Sequence, residues 1–154
     1  MATSFKLGIS TPLDPLAILR DILEYFDVDS EIGQFRDEED FSAPAIGCTV
    51  FTKRSSRAFG DYREEFWHIN TDILVTFRLF WDAELTEIFP ILLGYVLKYM
   101  RNNTGDVILQ YRDDIVLFRR SGNLFISGVG LWLETDCLEM IRHLEYDFIR
   151  PEEN

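Results

Sequence analysis

Two histidines, two cysteines and a surplus of carboxylates are the groups in this chain with the potential for chemistry. His68 follows Glu64 and Glu65, and on a helix Glu64 and His68 would share a face. A zinc site needs further ligands, and no second histidine or cysteine stands at a useful spacing. His143 follows Arg142 near the end of a candidate helix, where a cation is favoured, so both histidines read as structural or surface residues. Cys48 and Cys137 form no CxxC pair and read as two lone, buried thiols of a reducing compartment. There is no GxSxG elbow, no GxxxxGK[ST] loop and no HExxH. Asp113-Asp114 reads as a hairpin turn, and Glu64-Glu65 would point in opposite directions on a strand, so no acid/base pair is indicated. Trp67, Trp81 and Trp132 read as core, with one of them available to line an interface. The expectation is no catalytic residue, no metal and no cofactor.

Charge is the more informative property. The chain has 154 residues, with 15 Lys and Arg against 27 Asp and Glu, a formal net charge of −12. Such a field repels phosphate backbones and anionic membrane surfaces, which argues against nucleic-acid and membrane partners. It suits a basic protein partner, since opposite fields raise the association rate. The acidic residues concentrate in Asp27, Asp29, Glu31, Asp37, Glu38, Glu39 and Asp40, against Arg36 alone. This run reads as a solvated loop or extended segment, and as the candidate partner-binding surface. Val28, Ile32 and Phe35 interrupt it, so part of it should pack. Lys53, Arg54 and Arg57 form the basic cluster, with no phosphate-binding glycine framework beside them.

The elements that would position these residues follow from periodicity. Phe5, Leu7 and Ile9 alternate on a short first strand. Asp14-Pro15 then opens a helix as N-cap and first helical residue, with Leu16, Leu19, Ile22, Leu23 and Phe26 as its apolar stripe. Ile46–Lys53 reads as a strand, residues 59–67 as a short helix or link, and Ile69–Trp81 as a long strand with Trp81 on the face of Ile73, Val75, Phe77 and Leu79. A second helix runs from about Asp82 to Asn102, apolar around much of its circumference. Pro90 fits its first turn if Thr86 is the cap and kinks it if the helix starts at Asp82. Val107–Tyr111, Ile115–Arg119 and Leu124–Ile126 are three strands, joined by turns at Asp113-Asp114 and Ser121-Gly122-Asn123. A short apolar piece, Leu131–Leu133, precedes a candidate helix over Thr135–His143 with Thr135 as cap. The tail from Tyr146 turns polar at Arg150-Pro151 and is expected to fray. The most apolar window, Leu85–Met100, holds Glu87, Pro90 and Lys98 and falls short of the roughly 20 residues of a membrane span. With no signal-like start, a soluble cytoplasmic protein is expected.

Gly105-Asp106, the strand Val107–Leu109, a charged turn, Ile115–Leu117 and then Arg119-Arg120-Ser121-Gly122-Asn123-Leu124 resemble the Sit-type immunity family of bacterial contact-dependent toxin/immunity pairs. The opening strand and helix at Phe5–Phe26 and the strand Val75-Thr76-Phe77-Arg78-Leu79 before the second helix extend the likeness. Asn103-Thr104 stands where the family often has proline, and the 27–67 segment carries no matching motif. The resemblance implies a small cytosolic binder of a cognate toxin and carries over no functional residue by motif; the net charge of −12 suits a basic toxin, such as a nuclease. The alternative is a homo-oligomeric structural or regulatory module that uses the broad helix at Leu85–Met100 as its subunit contact. The fold expected is α+β in a single domain over residues 1–154: a mainly antiparallel sheet with two principal helices packed on one face.

Overall fold

In the computed structural model the described residues are 3–34, 40–54, 69, 71–112, 114–127 and 130–148. The elements are β1 (Ser4–Ile9), α1 (Pro15–Tyr25), β2 (Gly33–Gln34), β3 (Phe41–Pro44), β4 (Cys48–Arg54), β5 (Ile73–Leu79), α2 (Leu85–Asn102), β6 (Val107–Tyr111), β7 (Asp114–Arg120), β8 (Asn123–Ile126), α3 (Leu131–Glu134), α4 (Leu138–Ile141) and β9 (Asp147–Phe148). The strands form one sheet in the order β2-β3-β4-β5-β1-β6-β7-β8-β9. Every neighbouring pair is antiparallel except β8 and β9. The fold is therefore α+β, with the first strand at its centre.

Both long helices cover one face. Phe5 of β1 stacks on Phe89 of α2 with ring centroids 5.4 Å apart. Its cross-strand neighbour Phe77 meets Phe26, just beyond α1, at 6.3 Å. Thr52 of β4 is buried and donates to the Pro15 carbonyl at 2.9 Å, tying the start of α1 to the sheet. Trp132 of α3 closes the far side of α2 by an edge contact with Phe89 at 5.8 Å. The opposite face carries a smaller cluster of Ile69, Ile108, Ile115 and Phe118, flanked by polar positions such as Lys6, Thr76 and Arg78.

α1 is capped as expected. Asp14 Oδ1 accepts from the Ala17 amide at 2.8 Å, and Pro15 sits at the first helical position. Its buried stripe is Ile18, Leu19, Ile22, Leu23 and Phe26, with Leu16 only half-buried. Ile18 replaces Leu16 because it lies one full i, i+4 step before Ile22 and Phe26. The helix ends in a Schellman motif. The Val28 amide donates to Leu23 O at 3.0 Å, the Asp27 amide donates to Glu24 O at 3.1 Å, and Asp27 takes the left-handed φ of 55°.

Several boundaries differ from the periodicity. The long strand stops at Leu79 instead of Trp81: its partners β4 and β1 both begin at this end, at Cys48 and Ser4, and after the Phe80 amide bonds the Gly47 carbonyl the chain turns at Trp81. Ile46-Gly47 is a bend before β4, since Gly47 has φ +71°. A Cβ on that glycine would lie 2.2 Å from Ile88 Cδ1 of α2, so the bend is where the sheet admits the second helix. α2 starts at Leu85, which puts Pro90 beyond the first turn, where its missing N–H removes the i+4 donor to the Thr86 carbonyl. Ser42-Ala43-Pro44 belongs to β3, and Leu131–Leu133 is helical. Thr135 ends α3 by donating to Leu131 O at 2.6 Å; it does not cap a following helix, and the Thr135–His143 helix shortens to α4. Phe148, expected in the fraying tail, pairs with Ile126 as part of β9. The apolar breadth of α2 is consumed inside the fold. Its residues Ile88, Phe89, Leu92, Leu93, Tyr95, Val96, Tyr99 and Met100 are buried, and Ile91 and Leu97 pack against the same core.

Candidate functional site

The acidic residues singled out in the sequence divide into different environments. Asp27 is the left-handed residue of the α1 cap, so its conformation serves the helix end while its carboxylate stays exposed. Asp29 and Glu31 are exposed, and between them Ser30 donates to the Pro44 carbonyl at 2.6 Å, fastening this stretch to the end of β3. Asp40 is half-buried and lines a cavity of about 250 Å³ with Phe41, Phe51, Lys53 and Arg78, so cations of its own sheet stand near it. Asp37, Glu38 and Glu39 lie outside the described residues, as do His68, Trp67, Arg57 and Asp113. His143 is exposed after α4. Among the described residues no group of three or more His, Cys, Asp and Glu is arranged to hold a metal. Among them, too, no helix is long and apolar enough to cross a membrane.

Cys48 and Cys137 are both buried and unpaired. Burial pushes the Cys48 thiol up to about 11 and raises Cys137 as well. Neither thiol is activated as a nucleophile. Burial is also the main cause that raises the Tyr95 phenol, followed by the Asp21 carboxylate that accepts its hydroxyl at 2.9 Å.

A different surface emerges at the end of the sheet where β5 gives way to α2. Trp81 is 97% exposed, Phe80 42% and Ile46 43%. The three are neighbours, because the Phe80 amide donates to the Gly47 carbonyl at 3.0 Å. A cleft of about 890 Å³ opens beside them, lined by Thr3, Arg78, Phe80, Trp81, Asp82 and Tyr111 among others. Asp82, Glu84 and Glu87 are exposed along the start of α2, where a helix N-terminus favours negative charge. The Ser30–Pro44 bond places Asp29 and Glu31 at the same end of the sheet, since Pro44 pairs with Thr49 and Thr49 with Arg78. Sequence reasoning assigned Trp81 to the core by alternation and missed this rim. The available signal was Trp81-Asp82-Ala83-Glu84, an acidic stretch directly after the apolar run.

At the opposite end of the sheet a set of polar residues fastens α2 to the β6–β7 hairpin. Arg119 Nη1 donates to Met100 O at 2.6 Å, and Arg119 Nη2 donates to Asn103 O and Gly105 O, each at 2.7 Å. Asn103 Nδ2 donates to Tyr99 O at 2.9 Å. Two of the carbonyls that a helix end leaves open are thus taken by side chains, one local and one from a strand. A Cβ on Gly105 would lie 2.9 Å from the Ser10 carbonyl oxygen, so only glycine fits where the chain crosses β1. Asp106 accepts from the Ser121 amide at 3.2 Å. Ser121 and Gly122, with φ of 51° and 83°, form the two-residue turn to β8.

The SitI3-like family model matches residues 3–136. The chain belongs to the SitI3-like family. This agrees with the resemblance to Sit-type immunity proteins, and the match runs through the 27–67 segment that carried no matching motif of its own. No curated protein and no solved structure matches the chain. Within this family member, Gly105, Asp106, Arg119, Ser121 and Gly122, through which the likeness is legible, make up the clamp just described. They secure the architecture of the α2–β6–β7 junction.

Proposed function

We propose that this chain is a cytoplasmic, single-domain immunity protein that binds a cognate bacterial toxin and neutralises it as a stoichiometric inhibitor, without catalysis. The observation that carries the reading is the SitI3-like match over residues 3–136. The net charge of −12 supports a basic toxin, such as a nuclease whose active site attracts phosphate, because the same basic surface attracts carboxylates. Asp29, Glu31 and the run Asp37–Asp40 are the acidic residues we assign to steering that encounter, with Asp27 contributing charge from its cap position.

The test is co-expression with the toxin encoded beside this chain, in a host lacking the pair. Growth should be restored only when the chain is at least equimolar with toxin, and light scattering should give a complex of fixed stoichiometry. Absence of protection at excess chain would remove the reading, and protection at a small fraction of the toxin concentration would replace binding by catalysis. Replacing Asp37, Glu38, Glu39 and Asp40 by Asn and Gln should slow association most at low salt. An unchanged rate would take that segment out of the encounter.

A further inference from the structure

Trp81 is 97% exposed, although it follows a strand whose inward residues are buried. An indole held in water at a turn, next to two more exposed apolar side chains, is unusual for a surface with no partner. Ile46 and Phe80 are positioned by the Phe80–Gly47 backbone bond, so the patch sits on the rigid junction of β4, β5 and α2. The surrounding charge has a clear sign. Asp82, Glu84 and Glu87 stand exposed on the α2 side, and Asp29 and Glu31 at the same end of the sheet, where the described residues also include the cations Arg78 and Arg112. Tyr111, beneath the Arg112 guanidinium at 5.2 Å from its ring centroid, supplies another aromatic wall to the cleft.

We infer that this rim is the docking surface for a basic protein partner, with Trp81 as its central anchor; the inference rests on the immunity reading and names the toxin as that partner. The chemistry recognised is an arginine- or lysine-bearing surface with apolar ground between its cations. The indole face takes a cation or an apolar side chain, Phe80 and Ile46 exclude water around it, and the carboxylates pair with the partner's outer cations. Charge complementarity selects this occupant over a second copy of the chain, because two copies would bring like charges together at the rim.

The experiment measures binding of the purified toxin encoded beside this chain to wild type, Trp81→Ala, Trp81→Phe and Leu13→Ala, with growth protection assayed in parallel. Leu13 is exposed on the loop between β1 and α1, at the opposite end of the sheet, and serves as the apolar control. Trp81→Ala should weaken binding by at least about 30-fold with its melting temperature unchanged, Trp81→Phe should recover part of the loss, and Leu13→Ala should bind as wild type. Asp82→Lys with Glu84→Lys should slow association by about tenfold at low salt and much less at high salt. If wild type protects and Trp81→Ala binds equally well, the rim assignment is overturned and the immunity reading stands. If wild type neither binds nor protects, the immunity reading falls and the rim assignment falls with it. A wild-type dimer in light scattering that Trp81→Ala dissolves would also overturn the assignment, in favour of a second copy.

Discussion

Replacing Arg119 by alanine should cost far more stability than its position near a turn suggests. The side chain reaches three backbone carbonyls, Met100, Asn103 and Gly105, at 2.6–2.7 Å through its two terminal nitrogens, and Nε adds a longer contact to Gly105 O at 3.2 Å. Hydrogen bonds from a charged donor contribute about 1.5–3 kcal/mol each when desolvated. Arg119 is only half-buried, so solvent screens part of that, and a total of about 3 kcal/mol is expected for Arg119→Ala. For a domain of this size that corresponds to a fall of about 6–12 °C in Tm. Arg119→Lys keeps the charge and loses the fork, so it should recover about 1 kcal/mol of the deficit. Arg101 separates capping from simple charge. It lies exposed in the last turn of the same helix and should cost only about 0.5 kcal/mol as Arg101→Ala through the helix dipole. Chemical denaturation of the three variants at low and high salt reads this directly. Similar costs for Arg119→Ala and Arg101→Ala, both vanishing at high salt, would refute the clamp and leave charge alone as the cause.

Three further outcomes follow from the same geometry. Asp27→Gly should hold or raise the Tm, because it relieves about 1 kcal/mol of left-handed strain at the α1 cap, whereas Asp27→Val should lower it; the reverse order in a thermal melt would contradict the Schellman assignment. Gly47→Ala should cost about 2–3 kcal/mol in urea titration through its positive φ and the clash with Ile88, and Ile88→Val in the same chain should return part of it. Cys48 and Cys137 should resist maleimide at pH 8 until denaturant is added, since burial raises both thiols. The native state then holds a proton on Cys48 that the unfolded chain releases above its ordinary value of 9.0. Stability is therefore full below pH 9 and declines as pH rises through about 11, with the buried Tyr95 acting in the same direction at higher pH. A flat stability profile between pH 8 and 11 would exclude that linkage.

The sequence by itself determined the elements whose signals are local. Asp14-Pro15 announces α1 because a carboxylate and a proline satisfy a helix start within four residues, and the structure has that cap. The alternation in Phe5–Ile9 and Val107–Ile126 announces strands because side chains on a strand repeat every second residue, and the short turns between the later strands fix their pairing. The charge balance, too, is read directly from composition. What only the tertiary structure decided depends on partners distant in the chain. β1 lies between β5 and β6, and no spacing within Ser4–Ile9 specifies those neighbours. β5 stops at Leu79, where its antiparallel partners β1 and β4 begin and the chain turns at Trp81, although the alternation continues through Trp81. That early stop converts an apparent core tryptophan into an exposed one. Arg119 was legible only as half of a double-arginine turn, and its work became visible when the fold brought the carbonyl end of α2 to its guanidinium. The cause is the same in each case: periodicity records which face a side chain takes, while strand ends and remote caps are set by which distant part of the chain lies alongside.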